Sequence, residues 1–326
     1  SIKGSWNSEF PNGEMMKLSD DGFWWYEASL VDGDYFYQFN VDGEKLIADP
    51  WSKDVEWKDI IGFSESADYS RAKTKFTIGA QDFDWSDESF SRPIINELII
   101  YELHIGDFSP DIDRYGLYND VTAKIESGYF ESLGINAIEL MPVNEFEGEY
   151  SWGYNPSFYM APESAYGTPD EFKNLVNTAH EHGIAIILDV VFNHTWGSAP
   201  LFQLYQPTGS FEWQDHNFEL CPYFDAEESL WGYKLENWHQ VGGRQYRAWK
   251  YVLDALETWV NDYHIDGFRF DYTPGIGWGG DSDGASFYAN QLRDLDSGLL
   301  LIAEEDNYFQ INQTDFDSGW DYSYFH

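Results

Sequence analysis

From Pro93 onward, short continuous apolar runs alternate with stretches whose apolar residues recur every three or four positions. The runs Leu98 to Leu103, Ala137 to Leu140, Ile184 to Val191 and Leu299 to Ala303 read as strands. Ile184 to Val191 is nearly all aliphatic, the pattern of a parallel strand buried on both faces. Between them, Val121, Ile125, Phe130 and Leu133 space out a helix. A second helix opens with Thr168 as N-cap, Pro169 at its first position and Glu171 closing a capping box. Phe172, Leu175, Val176 and Ala179 form its apolar face, and Gly183 ends it. Trp249, Val252, Leu253, Leu256, Trp259 and Val260 mark a long amphipathic helix that leads into a strand at Gly267 to Asp271. Ala285 to Leu295 is helical. Strands alternating with helices predict a parallel α/β sheet, and polar residues gathered at the strand C-terminal ends favour a (β/α)8 barrel. Five strands precede Asn307, and a sixth is expected between Asp315 and Tyr322. The barrel is therefore expected to be incomplete at the C-terminus, with about six strands present.

Before Pro93 the period is two. Tyr35, Tyr37 and Phe39 alternate as on a half-buried strand, Asp42-Gly43 is a hairpin turn signal, and Phe76 to Ile78 reads as a last strand. Phe23 to Tyr26 is a further aromatic run. Residues 1–80 are thus expected to form a small all-β sandwich. The acidic, serine-rich residues 81–93 read as a linker, and residues 94–326 as the barrel. The aromatic-rich stretch 195–244, after the third strand, is too long for a simple connection and reads as a functional excursion.

Composition narrows the partners. The chain of 326 residues carries 58 Asp and Glu against 18 Lys and Arg, a net charge of −40. That excludes nucleic acid and anionic membranes as partners. It also points to adaptation to high salt, where screening removes self-repulsion. The 15 Trp, 23 Tyr and 24 Phe supply rings suited to stacking on sugars as well as to filling a core. No apolar run reaches membrane-spanning length. The lone Cys221 excludes an intramolecular disulfide. Compartment and oligomeric state stay open; extracellular space and the cytoplasm of a salt-adapted organism both suit the composition.

The candidate chemistry lies at the ends of three successive strands. One runs into Asp189-Val190-Val191-Phe192-Asn193-His194, the next ends in Arg269 and Asp271, and the third in Glu304-Glu305-Asp306. In Gly267-Phe268-Arg269-Phe270-Asp271 the two Phe side chains point to one face, and Arg269 and Asp271 share the other. An adjacent Arg holds such an Asp ionised, fit to act as a nucleophile. In a parallel barrel these strand ends converge on one face. Two carboxylates about 5 Å apart are the apparatus of a retaining glycosidase.

DVVFNH (189–194), GFRFD (267–271) and AEE (303–305) resemble, in order, three of the four sequence signatures of the alpha-amylase family of glycoside hydrolases. YELHIGDFS (101–109), LGINAIELMPV (133–143), SWGYNP (151–156) and YGTPDEF (166–172) support the likeness. The resemblance implies Asp271 as nucleophile with Arg269 as its electrostatic partner, and Glu304 as general acid/base with Glu305 as its rival. It also implies that Asp189, Asn193 and His194 shape the sugar site, that His194 bonds the sugar, and that Tyr154 stacks under the reacting ring. YFYQFNVDG (35–43) and ADP (48–50) look like the carbohydrate-binding module that precedes the barrel in branching and debranching members. The family's Lys-His after the nucleophile is replaced by Tyr272-Thr273-Pro274-Gly275. A structural calcium is therefore not supported, no other cofactor is implied, and the Asp281-to-Gly284 loop lacks the later Glu of a calcium loop. The family's fourth signature, a His-Asp pair, is absent, and the natural protein is expected to continue past His326. The implied activity is retaining cleavage of α-glucosidic bonds in a starch- or glycogen-like α-glucan. A 1,4-alpha-glucan branching enzyme is the alternative, and a catalytically dead glucan-binding protein the third reading.

The salt reading is testable by melting. Removing salt unmasks repulsion in a chain of this charge, so the melting temperature should rise from ~0.1 M to multimolar KCl. A flat profile contradicts salt adaptation.

Overall fold

Six short strands form one parallel sheet: β1 (Ile100–Leu103), β2 (Ala137–Leu140), β3 (Ala185–Val190), β4 (Gly267–Phe270), β5 (Leu300–Ala303) and β6 (Ser318–Gly319). Their order is β6-β5-β4-β3-β2-β1, and every neighbouring pair is parallel. The sheet is a curled, partial (β/α)8 barrel, as the alternating pattern predicts. The computed structural model describes residues 1–10, 12–57, 72–207, 215–229 and 231–321. Parts of the 1–80 and 195–244 expectations, and Tyr322 of the sixth-strand expectation, lie outside those residues.

Successive strand residues face opposite sides, and here the two sides have different jobs. Ile138, Leu140, Ile186, Leu188, Phe268, Phe270, Leu301 and Ala303 join the main core shared with the helices. The alternate residues Ala137, Ala185, Ile187, Leu300 and Ile302 form a separate cluster, against which Phe90, Ile95, Leu98 and Trp320 pack. Further along the same strands, this second face turns charged, with Glu139, Asp189 and Arg269. In register, Glu139 lies beside Ile187, and Asp189 beside Arg269. Gly267 makes the close approach of β4 to β5 possible: a Cβ there would lie 2.2 Å from the Leu300 carbonyl oxygen.

The helices follow the periodic pattern with one difference. The stretch from Val121 to Leu133 is two helices, α1 (Tyr118–Glu126) and α2 (Tyr129–Leu133). Gly128 breaks them apart at φ +70°, and Leu133 ends half exposed instead of facing the core. Helix α3 (Pro169–Glu181) has the expected capping box: the Thr168 N–H donates to Glu171 at 2.7 Å, and the Glu171 N–H donates to Thr168 Oγ1 at 3.2 Å. Helix α4 (Ala248–Tyr263) buries Trp259 completely, its indole N–H donating to the Tyr159 carbonyl at 2.9 Å. Helix α5 (Gly284–Leu295) follows β4. Among the described residues no helix is long and apolar enough to cross a membrane. A strand at Pro156–Pro162, every residue of it buried, pairs with Asn144–Phe146 outside the sheet; the patterning gave no sign of this pair.

The N-terminal part holds a five-stranded antiparallel sheet and a two-stranded ribbon. Asp42 and Gly43 turn the hairpin between Gly33–Val41 and Lys45–Ile47, both at positive φ. The Phe23-to-Tyr26 run is not core, for Phe23 and Trp24 are mostly exposed. This part docks on α4: Tyr251 donates to the Pro50 carbonyl at 2.8 Å, and the Trp51 indole N–H donates to Asp254 at 2.9 Å.

Residues 81–93, read from composition as a linker, are instead strapped to the base of the sheet. The Trp85 ring stacks on His264 with centroids 3.8 Å apart, and Phe90 stacks on His180 at 4.1 Å. His180 Nδ1 faces Asp87 at 3.0 Å, and Nε2 faces Asp266 at 2.8 Å. Arg92 reaches Asp266 and Asp296 at 2.8 and 2.5 Å. The segment's acids and serines are therefore partners for buried basic and amide groups, which composition alone does not reveal.

With a carboxylate at each ring nitrogen, the charged form of His180 is the one that can donate from both. Burial works against that charge, but Asp266 and Asp87 outweigh it and raise the pKa. A raised folded pKa gives stability that is complete below the unfolded value of about 6.5 and is lost as pH rises through the folded value. Melting curves from pH 5.5 to 9 should therefore show the wild type losing stability toward alkaline pH more steeply than His180→Gln. The gap should be roughly 1–3 kcal/mol at the acid end and should close at the alkaline end. Parallel curves contradict the charged clamp.

Candidate active site

The sheet's inner face brings the strand-end residues together around one cation. Arg269 Nη1 contacts Asp189 Oδ1 at 2.8 Å and Asp271 Oδ1 at 3.0 Å, and Nη2 contacts Glu304 Oε1 at 3.1 Å. Its guanidinium lies over the Trp320 ring, 4.7 Å from the centroid. Arg269 is 3% exposed, whereas the side chains of Asp271 and Glu304 are 16% and 20% exposed. The cation thus sits behind, and the two carboxyls reach the solvent side. Asp271 also accepts from Asn193 Nδ2 at 2.9 Å.

Local backbone geometry presents the second carboxyl. Tyr272, directly after Asp271, sits at φ +36°, a conformation uncommon for a non-glycine residue. This turns its N–H onto Glu304 Oε2 at 2.6 Å. Its carbonyl accepts from the Gly275 N–H at 2.8 Å, which closes the turn. Strain of this kind concentrates at functional sites. Glu305 points elsewhere: its Oε1 accepts from the N–H groups of Asp306 and Asn307 at 2.8 and 3.0 Å. Of the two adjacent glutamates, only Glu304 touches Arg269.

The surroundings of Glu304 act on its charge. Burial raises the pKa of Glu304; the Tyr272 N–H and Arg269 oppose this, and the charge of Asp271 adds to it. Both carboxyls sit on the same guanidinium, at 3.0 and 3.1 Å. A raised carboxyl beside another carboxyl is the arrangement of an acid next to a nucleophile.

The remaining candidates form a layer behind this pair. Asp189 is 1% exposed and accepts from the Tyr154 hydroxyl at 2.8 Å. Burial pushes its carboxyl up, with Arg269 opposing. His194 is 2% exposed; its Nε2 meets the Tyr154 carbonyl at 2.9 Å, and its Nδ1 meets the Asn193 side-chain oxygen. Both ring nitrogens are therefore engaged within the protein, and burial lowers the ring's pKa. Tyr154 is half-buried at the edge of this layer. Sequence reasoning missed Glu139, whose Oε1 lies 4.0 Å from Arg269 Nε. A glutamate within an apolar strand was the signal. It also missed the exposed pair Trp231 and Tyr272, with ring centroids 4.8 Å apart at the rim. Calcium does not fit the loop considered for it, because Asp283 is bound to the N–H and the ring of His239 at 2.6 and 2.9 Å. Among the described residues no three His, Cys, Asp or Glu converge as a metal site.

Comparison with known proteins agrees with this geometry. A family model described as the alpha amylase catalytic domain matches residues 83–296. The chain is 33% identical over 257 residues to the malto-oligosyltrehalose trehalohydrolase of Saccharolobus solfataricus, covering 78% of this chain and 39% of that protein. It is 29% identical over 276 residues to the 1,4-alpha-glucan branching enzyme of Picrophilus torridus, covering 83% and 35%. The structure of the pullulanase from Bacillus acidopullulyticus aligns with a TM-score of 0.63 at 27% identity, covering 94% of this chain and 38% of that one. The chain spans less than half the length of each.

Proposed function

The chain belongs to the alpha-amylase family, and from that premise we propose that it is the catalytic part of a retaining glycoside hydrolase. Its substrate would be an α-glucosidic bond in a starch- or glycogen-like α-glucan. The observation that carries this reading is the Arg269 contact to both Asp271 and Glu304.

In the first step Glu304, whose protonated form burial favours, gives its proton to the glycosidic oxygen. The Asp271 carboxylate attacks the anomeric carbon, the bond to the departing sugar breaks, and a glucosyl ester forms on Asp271. Glu304, now a carboxylate, then takes a proton from water as its oxygen attacks the anomeric carbon, and the Asp271 ester bond breaks. Negative charge thus passes from Asp271 to Glu304 and back. Arg269 touches both, so the cation stays in contact with the charge throughout and little reorganisation is needed. The gathering of both carboxyls on one guanidinium favours retention, since inversion needs them about 6.5–9.5 Å apart with water between. Tyr154 would stack under the reacting ring. Asp189, Asn193 and His194 would hold Arg269, Asp271 and Tyr154 in place and so shape the sugar site; a direct bond from His194 to sugar would replace one of its present contacts. Salt adaptation remains part of this proposal, on the strength of the −40 charge.

The similarity to a branching enzyme favours a second reading, in which a glucan hydroxyl replaces water in the second step. Incubating the complete protein with amylose separates the readings. New reducing ends support the hydrolase, new α-1,6 branches support the transferase, and binding without change contradicts both. Asp271→Asn should abolish turnover by roughly 10³-fold or more while glucan binding persists, because the substitution keeps the shape and removes the charge.

A further inference from the structure

The guanidinium of Arg269 has one donor that the proposed chemistry leaves unused. Its two terminal nitrogens are occupied by Asp189, Asp271 and Glu304. The third, Nε, is buried and has no hydrogen-bond acceptor among the described residues. The nearest anionic group on that side is Glu139 Oε1, 4.0 Å away and so beyond hydrogen-bond reach. Glu139 is 5% exposed in the middle of β2, on the inner face of the sheet. The charged groups around it are Arg269 on β4, Glu304 just past β5 and Glu102 on β1, with Asp189 on the intervening β3. A gap of this size leaves no room for a bridging water, yet a shift of about 1 Å would close it into a hydrogen bond.

We propose that Glu139 is a positioning residue for the reaction, the anionic seat on which Arg269 rests and through which it holds Asp271 and Glu304 at the right spacing. The inference rests on the functional reading above, which it deepens by adding a group that never touches substrate. Asp271 and Glu304 draw the guanidinium toward the solvent end of the site. Trp320 covers its face, so its remaining freedom is to slide along its own plane. Asp189 opposes that slide through Nη1, and Glu139 opposes it on the Nε side. When the glucosyl ester forms, Asp271 loses its charge and its pull on Arg269, and the seat keeps the guanidinium from following Glu304.

The seat is also sensitive to pH. Burial pushes Glu139 up to about 7; Arg269 works against this, and the charges of Glu102 and Glu304 add to it. Below that pH it is neutral and the seat is loose. Above it, the carboxylate draws the Nε–H into a hydrogen bond. Coulomb interactions are reciprocal, so an ionised Glu139 also helps Glu304 keep its proton. Removing the charge should lower the pKa of Glu304 and move the alkaline limb of activity to lower pH.

The test uses Glu139→Gln and Glu139→Asp in the complete protein, with two readouts. The first is the ¹⁵N resonance of the Arg269 Nε–H, assigned by its loss in Arg269→Lys and followed across neutral pH. It should titrate in the wild type and stay flat in Glu139→Gln. The second is the pH profile of α-glucan turnover. In Glu139→Gln the alkaline limb should move down by roughly half a pH unit, and kcat should fall roughly tenfold with KM little changed, with partial recovery in Glu139→Asp. An Nε–H titration that survives in Glu139→Gln overturns the proposal, and so does an unmoved limb with kcat within about twofold. The resonance readout needs no turnover. A wild type inactive on α-glucans would therefore defeat the functional reading alone, and the titration would still decide whether Glu139 seats Arg269.

Discussion

The guanidinium of Arg269 touches Asp189, Asp271 and Glu304 while itself buried on the inner face of the sheet. Without it, three carboxyls would face one another in a poorly solvated space, where unpaired charge is costly. The cation offsets their charge and fixes where they point. Asp189 is held deep and spent on Arg269 and Tyr154. Asp271 and Glu304 are left partly exposed at its outer edge, where the proposed reaction uses them as nucleophile and acid. Other features of the site serve this arrangement: Trp320 covers the guanidinium, Asn193 restrains Asp271, and the Tyr272 N–H restrains Glu304.

Backbone geometry makes the arrangement possible. Strand alternation puts Arg269 and Asp189 on one face and sends Phe268 and Phe270 into the core on the other. Gly267 lets β4 lie close against β5, which sets Phe270 beside Ala303 and brings Glu304 next to Asp271. Tyr272 then leaves the strand at positive φ, so the residue that ends the nucleophile's strand also binds its neighbour. The strap of residues 81–93 pins the opposite end of the sheet, where Asp266 pairs with His180 and Arg92 just before β4 begins. The two ends of the same strand are thus anchored by buried charge of opposite arrangement: a carboxylate held by cations at the base, and a cation held by carboxylates at the top.

Much of this was legible in the sequence, because the signals were local. Aliphatic runs and capping residues marked β3 and α3, and polar residues at the ends of apolar runs marked the site. Asp189, Arg269, Asp271 and Glu304 come together as the strand-end pattern implies. What could not be read depends on long-range pairing. Residues 81–93 looked like a linker because their hydrogen-bonded partners, Asn177, His180 and Asp266, lie 91 or more positions away in the chain. The strand Pro156–Pro162 begins and ends with proline and lacks alternation, since every residue in it is buried. Glu305 is turned away from Arg269 by loop hydrogen bonds from Asp306 and Asn307, which no spacing rule anticipates. Glu139 was passed over as one polar residue in a buried strand, and its meaning appears only when Arg269 is placed beside it.

The central claim is that Arg269 keeps Asp271 as the nucleophile and leaves Glu304 as the acid. The most direct measurement is to trap the covalent intermediate. The complete protein would be incubated with a fluorinated glucosyl fluoride, which slows turnover of the ester, and then digested and mapped by mass spectrometry. The account predicts one glucosyl-sized mass increase, on the peptide containing Asp271 and at that residue. Label on Glu304, with Asp271 unmodified, would contradict it.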